Sequence, residues 1–221
     1  MSVTLVMGAS GSGKSTSIRT LPPEQTVIFS VSKGEGKSLP FKGWKKNYNK
    51  ENKNYFIVNS SSQLKALLIK GKDYFEKNKK YLIVDDCQYL MAFDFLKRAK
   101  ESGFNKFTEL AQEFVEIFDI LSSMKLHCFM LQHTEEYMSD GIKISKAKTL
   151  GKLIDDKITW EGLFTYVLMT DIQRTDEETT YMFVTKSDGT NTCKMPMDMF
   201  KETYIPNDLL LVANAIEEYE G

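Results

Sequence analysis

The first stretch of this sequence that could do chemistry is GASGSGKST, directly behind the apolar run Val3 to Met7. Its spacing, Gly8-x-x-x-x-Gly13-Lys14-Ser15, matches the Walker A pattern at every fixed position, between a predicted strand and a predicted helix. Glycines let consecutive backbone amides turn inward on a phosphate. The segment therefore predicts a triphosphate site made by Gly8, Ala9, Ser10, Gly11, Ser12, Gly13, Lys14, Ser15 and Thr16.

Three side chains of this segment have predicted roles on the phosphates. We expect Lys14 to reach the β- and γ-phosphates, Ser15 to place its hydroxyl on Mg²⁺, and Thr16 to contact the α-phosphate. The helix predicted to begin near Lys14 would add the positive end of its dipole.

A second motif, YLIVDD at residues 81–86, consists of four apolar residues followed by two acids, as in a Walker B strand. Asp85 would hold Mg²⁺ through water, opposite Ser15. Asp86 has two interpretations: a carboxylate that polarises the attacking water, or the N-terminal cap of a helix that begins near Gln88.

A third predicted strand, 126–131, ends in Gln132 and His133, where a doubly wound sheet exposes its ligand-facing edge. Either side chain could sense the γ-phosphate and pass its presence to the following loop. The alternative is that Gln132 caps the strand end and His133 lies at the surface. The candidate catalytic residues are thus Lys14, Asp86, Gln132 and His133.

Alternating strand and helix patterns are predicted to position these residues. Helix-period segments indicate helices over 14–20, 63–77, 88–101, 107–124 and 208–219, the last capped by Asn207 or Asp208. Strands are indicated at 3–7, 26–31, 55–58, 81–84, 126–131, 163–169 and 180–185. This alternation predicts an α/β fold, a doubly wound, mostly parallel sheet with a C-terminal hairpin and helix.

Length and composition restrict the classes of protein. The 221 residues, 42% of them apolar, predict one domain over 1–221. No apolar run is long enough to span a membrane, and the glycine-rich motif begins too early for a cleavable signal, so we expect a cytoplasmic protein. The three cysteines form no CxxC pair, and we interpret them as reduced core residues.

Two long segments, 33–54 and 134–149, are predicted to be mobile loops, and each carries a cluster of lysines. The first carries seven lysines among aromatic residues, a mixture that suits sequence-tolerant binding of single-stranded DNA. Its alternative is a solvated loop whose Phe41 and Trp44 pack on the core. The candidate DNA-binding residues are Lys42, Lys45, Lys46, Lys143, Lys146 and Lys148.

Two other classes of phosphate-binding protein fit the sequence less well. Small-molecule kinases stabilise the moving phosphoryl group with several arginine forks, and this chain has three arginines, Arg19, Arg98 and Arg174. Thr185-Lys186-Ser187-Asp188 imitates a guanine-reading motif, but the acidic strand end lacks the glycine of a GTPase switch. The same residues also read as an ordinary turn.

Five stretches together resemble the phage-encoded RecA-like ATP-binding proteins, which are similar to the core-only RecA-type single-strand annealing proteins. They are GASGSGKSTSIRTL, SLPFKGWKKNY, YLIVDDCQYL, FMLQHTE and KTLGKLIDDKITWEGLFTYVL, within a resemblance that spans residues 3–200. It implies a RecA-like P-loop NTPase fold and assigns ATP to residues 8–16, magnesium to Asp85 and γ-phosphate sensing to Gln132 or His133. It also implies DNA contacts from 134–149. The chain departs from the pattern after its second strand, where Glu35 is only loosely placed as the water-activating glutamate.

The resemblance implies an oligomeric ATPase, a ring or filament, that binds single-stranded DNA and promotes annealing during phage recombination or replication in the bacterial cytoplasm. A single-strand binding protein is a candidate partner, and no membrane is expected. Two alternatives remain open: an ATP-binding annealing or adaptor module with little turnover, and a small-molecule P-loop kinase.

Overall fold

The structure is a computed structural model that describes residues 2–103, 105–149 and 158–221. It is an α/β fold with a mixed, mostly parallel sheet, as the sequence predicts. The described strands are β1 (Val3–Gly8), β2 (Thr26–Val31), β3 (Tyr55–Val58), β4 (Tyr81–Asp85), β5 (His127–Ser139), β6 (Ile142–Ala147), β7 (Tyr166–Arg174), β8 (Thr179–Val184) and β9 (Tyr204–Pro206). The described α-helices are α1 (Trp44–Asn47), α2 (Ser61–Asn78), α3 (Gln88–Lys97), α4 (Asn105–Ser122) and α5 (Leu209–Glu220).

The described strands lie in the order β3-β2-β4-β5-β1-β7-β8-β9, with β6 paired to β5. The strands from β3 to β7 in this order are parallel, whereas β8 is antiparallel to β7 and β9 to β8. Because β5 lies between β1 and β4, the carboxyl ends of these three strands meet at one edge of the sheet. Gly8 of β1 is in register with His133 of β5 at that edge.

Side chains along the parallel strands alternate between two apolar clusters, one on each face of the sheet. On β4, Leu82 and Val84 join one cluster, together with residues of α2, α3 and α4. Tyr81 and Ile83 join the other, with residues of α5. The near-continuous apolar runs in the sequence reflect this burial on both faces.

The helix predicted over 14–20 is a six-residue 3-10 helix, Ser15–Thr20. The hydroxyl groups of Ser17 and Thr20 donate to the carbonyls of Lys14 and Ser17, three residues earlier, which favours the tighter turn. A dipole from a long helix is therefore not available at the glycine-rich segment, and only the backbone amides of the segment itself could act as donors to an anion there.

The prediction of a mobile loop over 134–149 is wrong for most of that segment. β5 continues through Ser139 and pairs antiparallel with β6, so the segment forms a β-hairpin. Asp140 and Gly141 make the turn with φ of 50° and 79°, the left-handed geometry of a two-residue hairpin turn. The Asp-Gly pair was a sequence signal for this hairpin.

Two other predicted boundaries change. The strand predicted over 163–169 begins at Tyr166 and extends to Arg174, because Phe164 packs its ring on Phe118 of α4, 4.9 Å between centroids, rather than joining the sheet. The helix predicted over 88–101 ends at Lys97, ahead of a turn in which Gly103 has a φ of 93°.

The predictions for the C-terminal part and the cysteines are confirmed. β7 and β8 form the hairpin, and α5 follows β9 with Asp208 as its N-cap, whose carboxylate accepts a hydrogen bond from the Leu211 amide at 2.9 Å. The cysteines, Cys87, Cys128 and Cys193, are free and buried. Among the described residues, no helix combines the length and apolar character needed to cross a membrane.

Candidate functional site

The glycine-rich segment leaves β1 at Gly8, and close contacts or backbone geometry disfavour a side chain at each of its three glycines. A Cβ on Gly8 would lie 1.8 Å from Oγ1 of Thr170 on β7. Gly11 and Gly13 have φ of 76° and 100°, which side-chain-bearing residues rarely adopt. A Cβ on Gly13 would also approach Tyr181 at 2.9 Å.

Lys14 curls back over this segment. Its ammonium donates hydrogen bonds to the carbonyls of Gly8 and Ala9, both at 2.8 Å, and the residue is 5% exposed. Burial lowers the pKa of Lys14, and the charges of Asp86 and Asp85 offset only part of that shift. The segment thus encloses a cation whose two acceptors are backbone carbonyls.

Ser15 and Asp85 come together as the sequence predicts. Ser15 follows the glycine-rich turn, Asp85 ends β4, and the Ser15 hydroxyl donates to Oδ1 of Asp85 at 2.8 Å. Burial, reinforced by the charge of Asp86, raises the pKa of Asp85 to about 6. A hydroxyl and a carboxylate at one point are the kind of oxygen ligands that Mg²⁺ uses together with substrate phosphates.

Asp86 does not cap α3, because Cys87 occupies the N-cap position and no side chain makes a capping bond there. Instead, Asp86 has a φ of 63°, and its carboxylate pairs with Nε2 of His133 at 3.1 Å and with the ammonium of Lys37. Burial would raise the pKa of Asp86, but the hydrogen bonds from His133 and Lys37 outweigh it and hold that pKa well below its usual range.

Gln132 and His133 point to different places, since successive side chains of a strand lie on opposite faces. His133 lines the cavity beside the glycine-rich segment. Gln132 is fully buried: its side-chain oxygen accepts from Nε1 of Trp160 at 2.9 Å, and its amide donates to the carbonyl of Lys148 at 2.6 Å. Of the two candidate sensors, the structure places His133 at the cavity and Gln132 behind it.

The cavity has a volume of about 550 Å³. The predicted residues that line it are Ser10, Gly11, Gly13, Lys14, Ser15, Thr16, Asp85, Asp86 and His133. Sequence reasoning did not assign Lys37, Ser38, Pro40 and Tyr181 to the site, and the structure adds them. The first three follow β2, so the rule that crevices form beyond the carboxyl ends of strands could have found them.

The described residues contain no group of three or more His, Cys, Asp or Glu side chains arranged to hold a metal ion. A cation at Ser15 and Asp85 would therefore need ligands from a bound phosphate or from water, which is how Mg²⁺ is commonly held in nucleotide sites.

The predicted DNA-binding lysines lie in two different settings. Lys42, Lys45 and Lys46 are exposed on and beside α1. The aromatic residues around them pack inward: the Phe41 ring contacts Tyr48 at 6.1 Å and the Trp44 ring contacts Tyr55 at 5.6 Å between centroids. The packed alternative for Phe41 and Trp44 is therefore the observed one, and the exposed groups here are lysines.

On the β5–β6 hairpin, lysines face glutamates across the strands. Lys143 pairs with Glu136 at 2.6 Å and Lys146 with Glu135 at 3.3 Å, and the Lys148 side chain is exposed. These pairs reduce the net positive charge that the hairpin could offer to a polynucleotide. The GKLIDDKIT stretch lies outside the described residues, except for its last two.

The guanine-motif residues form a turn away from the cavity. The carboxylate of Asp188 accepts hydrogen bonds from the Thr190 backbone at 2.9 Å and the Asn191 side chain at 3.1 Å. Thr185 donates to the carbonyl of Glu202 at 2.8 Å. The side chains of Thr185 and Asp188 thus hydrogen-bond to nearby protein groups.

Neither a scan of protein-family models nor a search of curated protein sequences matches this chain.

Proposed function

We propose that this chain is a RecA-like P-loop protein that binds ATP together with Mg²⁺. The observation that carries the proposal is the placement of the Lys14 ammonium inside a glycine-rich turn, beside the Ser15–Asp85 oxygen pair. Backbone amides, a buried cation and an oxygen ligand pair at the carboxyl end of a parallel sheet are the groups that a triphosphate requires.

The residues that line the cavity fit both ATP and Mg²⁺. Lys14 would exchange its two carbonyl acceptors for β- and γ-phosphate oxygens, which are stronger acceptors because they are charged. Ser15 and Asp85 would hold Mg²⁺, which supplies charge neutralisation on the phosphates when bound. His133 lies at the same cavity, where a terminal phosphate would meet its imidazole.

The ion pairs and the pKa of Asp86 affect whether this side chain could promote ATP hydrolysis. A carboxylate held by Lys37 and His133 with a lowered pKa is a weak base toward an attacking water. This observation favours a second candidate, an ATP-binding annealing or adaptor module with little turnover. The kinase alternative receives less support, since none of the three arginines lines the cavity.

We further propose single-stranded DNA as the partner, with ATP acting as an assembly switch for an oligomer in phage recombination or replication. The support is the resemblance of the sequence together with the exposed lysines Lys42, Lys45 and Lys46. β5 provides a physical route for the switch, because the strand that carries His133 at the cavity continues into the β5–β6 hairpin.

The test is a calorimetric titration of the full chain with ATP and Mg²⁺, for the unchanged protein and for Lys14→Ala. The loss of two charge-assisted contacts should weaken binding about 100-fold. Lys70→Ala, an exposed lysine on α2, is the matched control and should bind as the unchanged protein does. Equal affinity of Lys14→Ala and the unchanged protein would refute the site.

Turnover and DNA dependence are measured on the same proteins. An ATPase rate that rises with single-stranded DNA supports the ATPase, and an unchanged trace rate supports the low-turnover module. A phosphorylated small molecule formed from ATP would instead support the kinase.

A further inference from the structure

The cavity contains a second lysine that belongs to no motif of the sequence. Lys37 follows β2, lines the cavity with Ser38 and Pro40, and pairs its ammonium with Oδ2 of Asp86. Its side chain is 56% exposed, whereas that of Asp86 is 5% exposed. A buried carboxylate is thus neutralised at the cavity by a cation that reaches it from solvent.

The backbone around Lys37 is held in place by β3. The hydroxyl of Tyr55 donates to the Lys37 carbonyl at 2.7 Å, and Leu39 is buried in the core. Gly36 has a φ of 91°, and a Cβ on it would lie 2.8 Å from Cδ1 of Ile57. The Lys37 backbone is therefore anchored, while the long side chain extends over the cavity.

Charge balance in the cavity changes when a triphosphate enters. Two carboxylates, Asp85 and Asp86, already face the space that the terminal phosphate would occupy. Lys14 is engaged deep in the glycine-rich turn, and its single charge, shared between the β- and γ-phosphates, would neutralise only part of their charge. The outer phosphate charge would then lie beside Asp86 unless a further cation lies between them.

We propose that Lys37 is a second phosphate-binding residue of this site: when ATP binds, its ammonium moves toward the terminal phosphate and lies between that phosphate and Asp86. This inference rests on the proposed function. The burial around Lys37 would lower its pKa, but the hydrogen bond and charge of Asp86 outweigh that effect, so the ammonium stays charged. An exposed four-carbon stem lets that charge move between two acceptors within the cavity.

This movement of Lys37 has two consequences. ATP should be preferred over ADP, because only ATP supplies the terminal phosphate that Lys37 binds. In addition, Oδ2 of Asp86 shares its cation with the terminal phosphate when ATP is present, while Oδ1 keeps His133. The Lys37 ammonium would then lie between the carboxylate and the terminal phosphate only in the ATP state.

The experiment compares dissociation constants for ATP and ADP, with Mg²⁺, in the unchanged protein, Lys37→Ala and Lys37→Arg. Lys37→Ala should weaken ATP at least about tenfold and change ADP less than about twofold, and Lys37→Arg should retain the ATP preference. Lys33→Ala removes an exposed lysine of the same segment that does not line the cavity, and it should leave both constants unchanged.

The same comparison in an Asp86→Asn background separates direct binding from neutralisation of Asp86. If Lys37 binds phosphate, Lys37→Ala still costs about tenfold in ATP affinity in that background. The inference is overturned if the effect disappears there, or if ATP and ADP weaken equally. Binding of neither nucleotide by the unchanged protein would refute the proposed function itself, whereas normal ATP binding with an unaltered ATP preference in Lys37→Ala refutes this inference alone.

Discussion

At the scale of single residues, the glycine-rich turn depends on what surrounds each position. Gly8 is needed because Thr170 occupies the space that a side chain would fill. At Gly11 a Cβ would meet nothing within 4 Å, so glycine is favoured there by the left-handed backbone alone. The Walker A pattern specifies Gly8 and Gly13, and the pairing of β1 with β7 explains why a residue with a side chain does not fit at Gly8.

We predict that Gly8→Ala destabilises the fold by about 1–3 kcal/mol, because its methyl group overlaps Oγ1 of Thr170. Urea unfolding of Gly8→Ala, alone and combined with Thr170→Ala, measures the effect. The substitution should cost clearly less in the Thr170→Ala background. An equal cost in both backgrounds would show that the steric contact is not the cause.

The two neighbouring aspartates show how environment separates chemically identical groups. Asp85 is buried with one hydroxyl donor, and its pKa is raised to about 6, whereas the cations beside Asp86 lower its pKa. The adjacent pair Asp85-Asp86 could not by itself show which pKa is raised and which is lowered, since His133 and Lys37 come from other parts of the chain.

At the scale of elements, caps and turns set the ends of helices and strands around the site. Asp208 begins α5 by accepting from the Leu211 amide, and α5 packs on the same face of the sheet as the 3-10 helix after Lys14. The cap thus stabilises an element that packs beside the glycine-rich side of the cavity.

We expect Asp208→Ala to lower the free energy of unfolding by about 1 kcal/mol, whereas Asp208→Asn retains most of the stability because asparagine also caps. Chemical denaturation of the two variants makes the comparison. Equal losses for alanine and asparagine would mean that the hydrogen bond to the Leu211 amide is not what matters.

The sequence predicted local elements better than their partners. Continuous apolar runs predicted β1 to β4 almost to the residue, because strands buried on both faces need apolar side chains throughout. The β5–β6 hairpin was missed because β5 changes from a buried strand to a half-exposed one at His133, where a single periodicity no longer applies.

In the candidate site, too, residues within local motifs were predicted better than residues brought in by tertiary packing. Lys14, Ser15 and Asp85 were predictable because each belongs to a motif at the end of a parallel strand, and the carboxyl ends of such strands meet at one edge of the sheet. Tyr181 was not, since its approach to the cavity depends on the antiparallel strand β8. Lys37 follows a predicted strand end and could have been placed near the cavity, but its contact with Asp86 depends on the tertiary packing of the segment after β2. Gln132 and His133 could not be separated without the register of β5.

At the scale of the whole molecule, charge is balanced overall but unevenly distributed. The net charge is −1, so a polynucleotide would be attracted by local basic surfaces rather than by the molecule as a whole. Exposed lysines on and beside α1 offer such a surface, while the hairpin lysines Lys143 and Lys146 lie opposite glutamates.

If α1 contacts single-stranded DNA, Lys45→Ala/Lys46→Ala should reduce the slope of log affinity against log salt by about 1.4, since each lysine releases counterions from one phosphate. Lys70→Ala/Lys77→Ala removes the same charge from α2 and should leave the slope unchanged. The measurement is fluorescence anisotropy of a labelled oligonucleotide at several salt concentrations. A slope that both double variants change equally would exclude α1 as the contact surface.

Crystals of the protein grown with ATP and Mg²⁺ would show whether the turn around Lys14 holds a triphosphate. We predict phosphate density enclosed by residues 9–16, with the Lys14 ammonium moved from the carbonyls of Gly8 and Ala9 onto phosphate oxygens. An empty turn at saturating ATP, with Lys14 still bonded to those two carbonyls, would contradict the account.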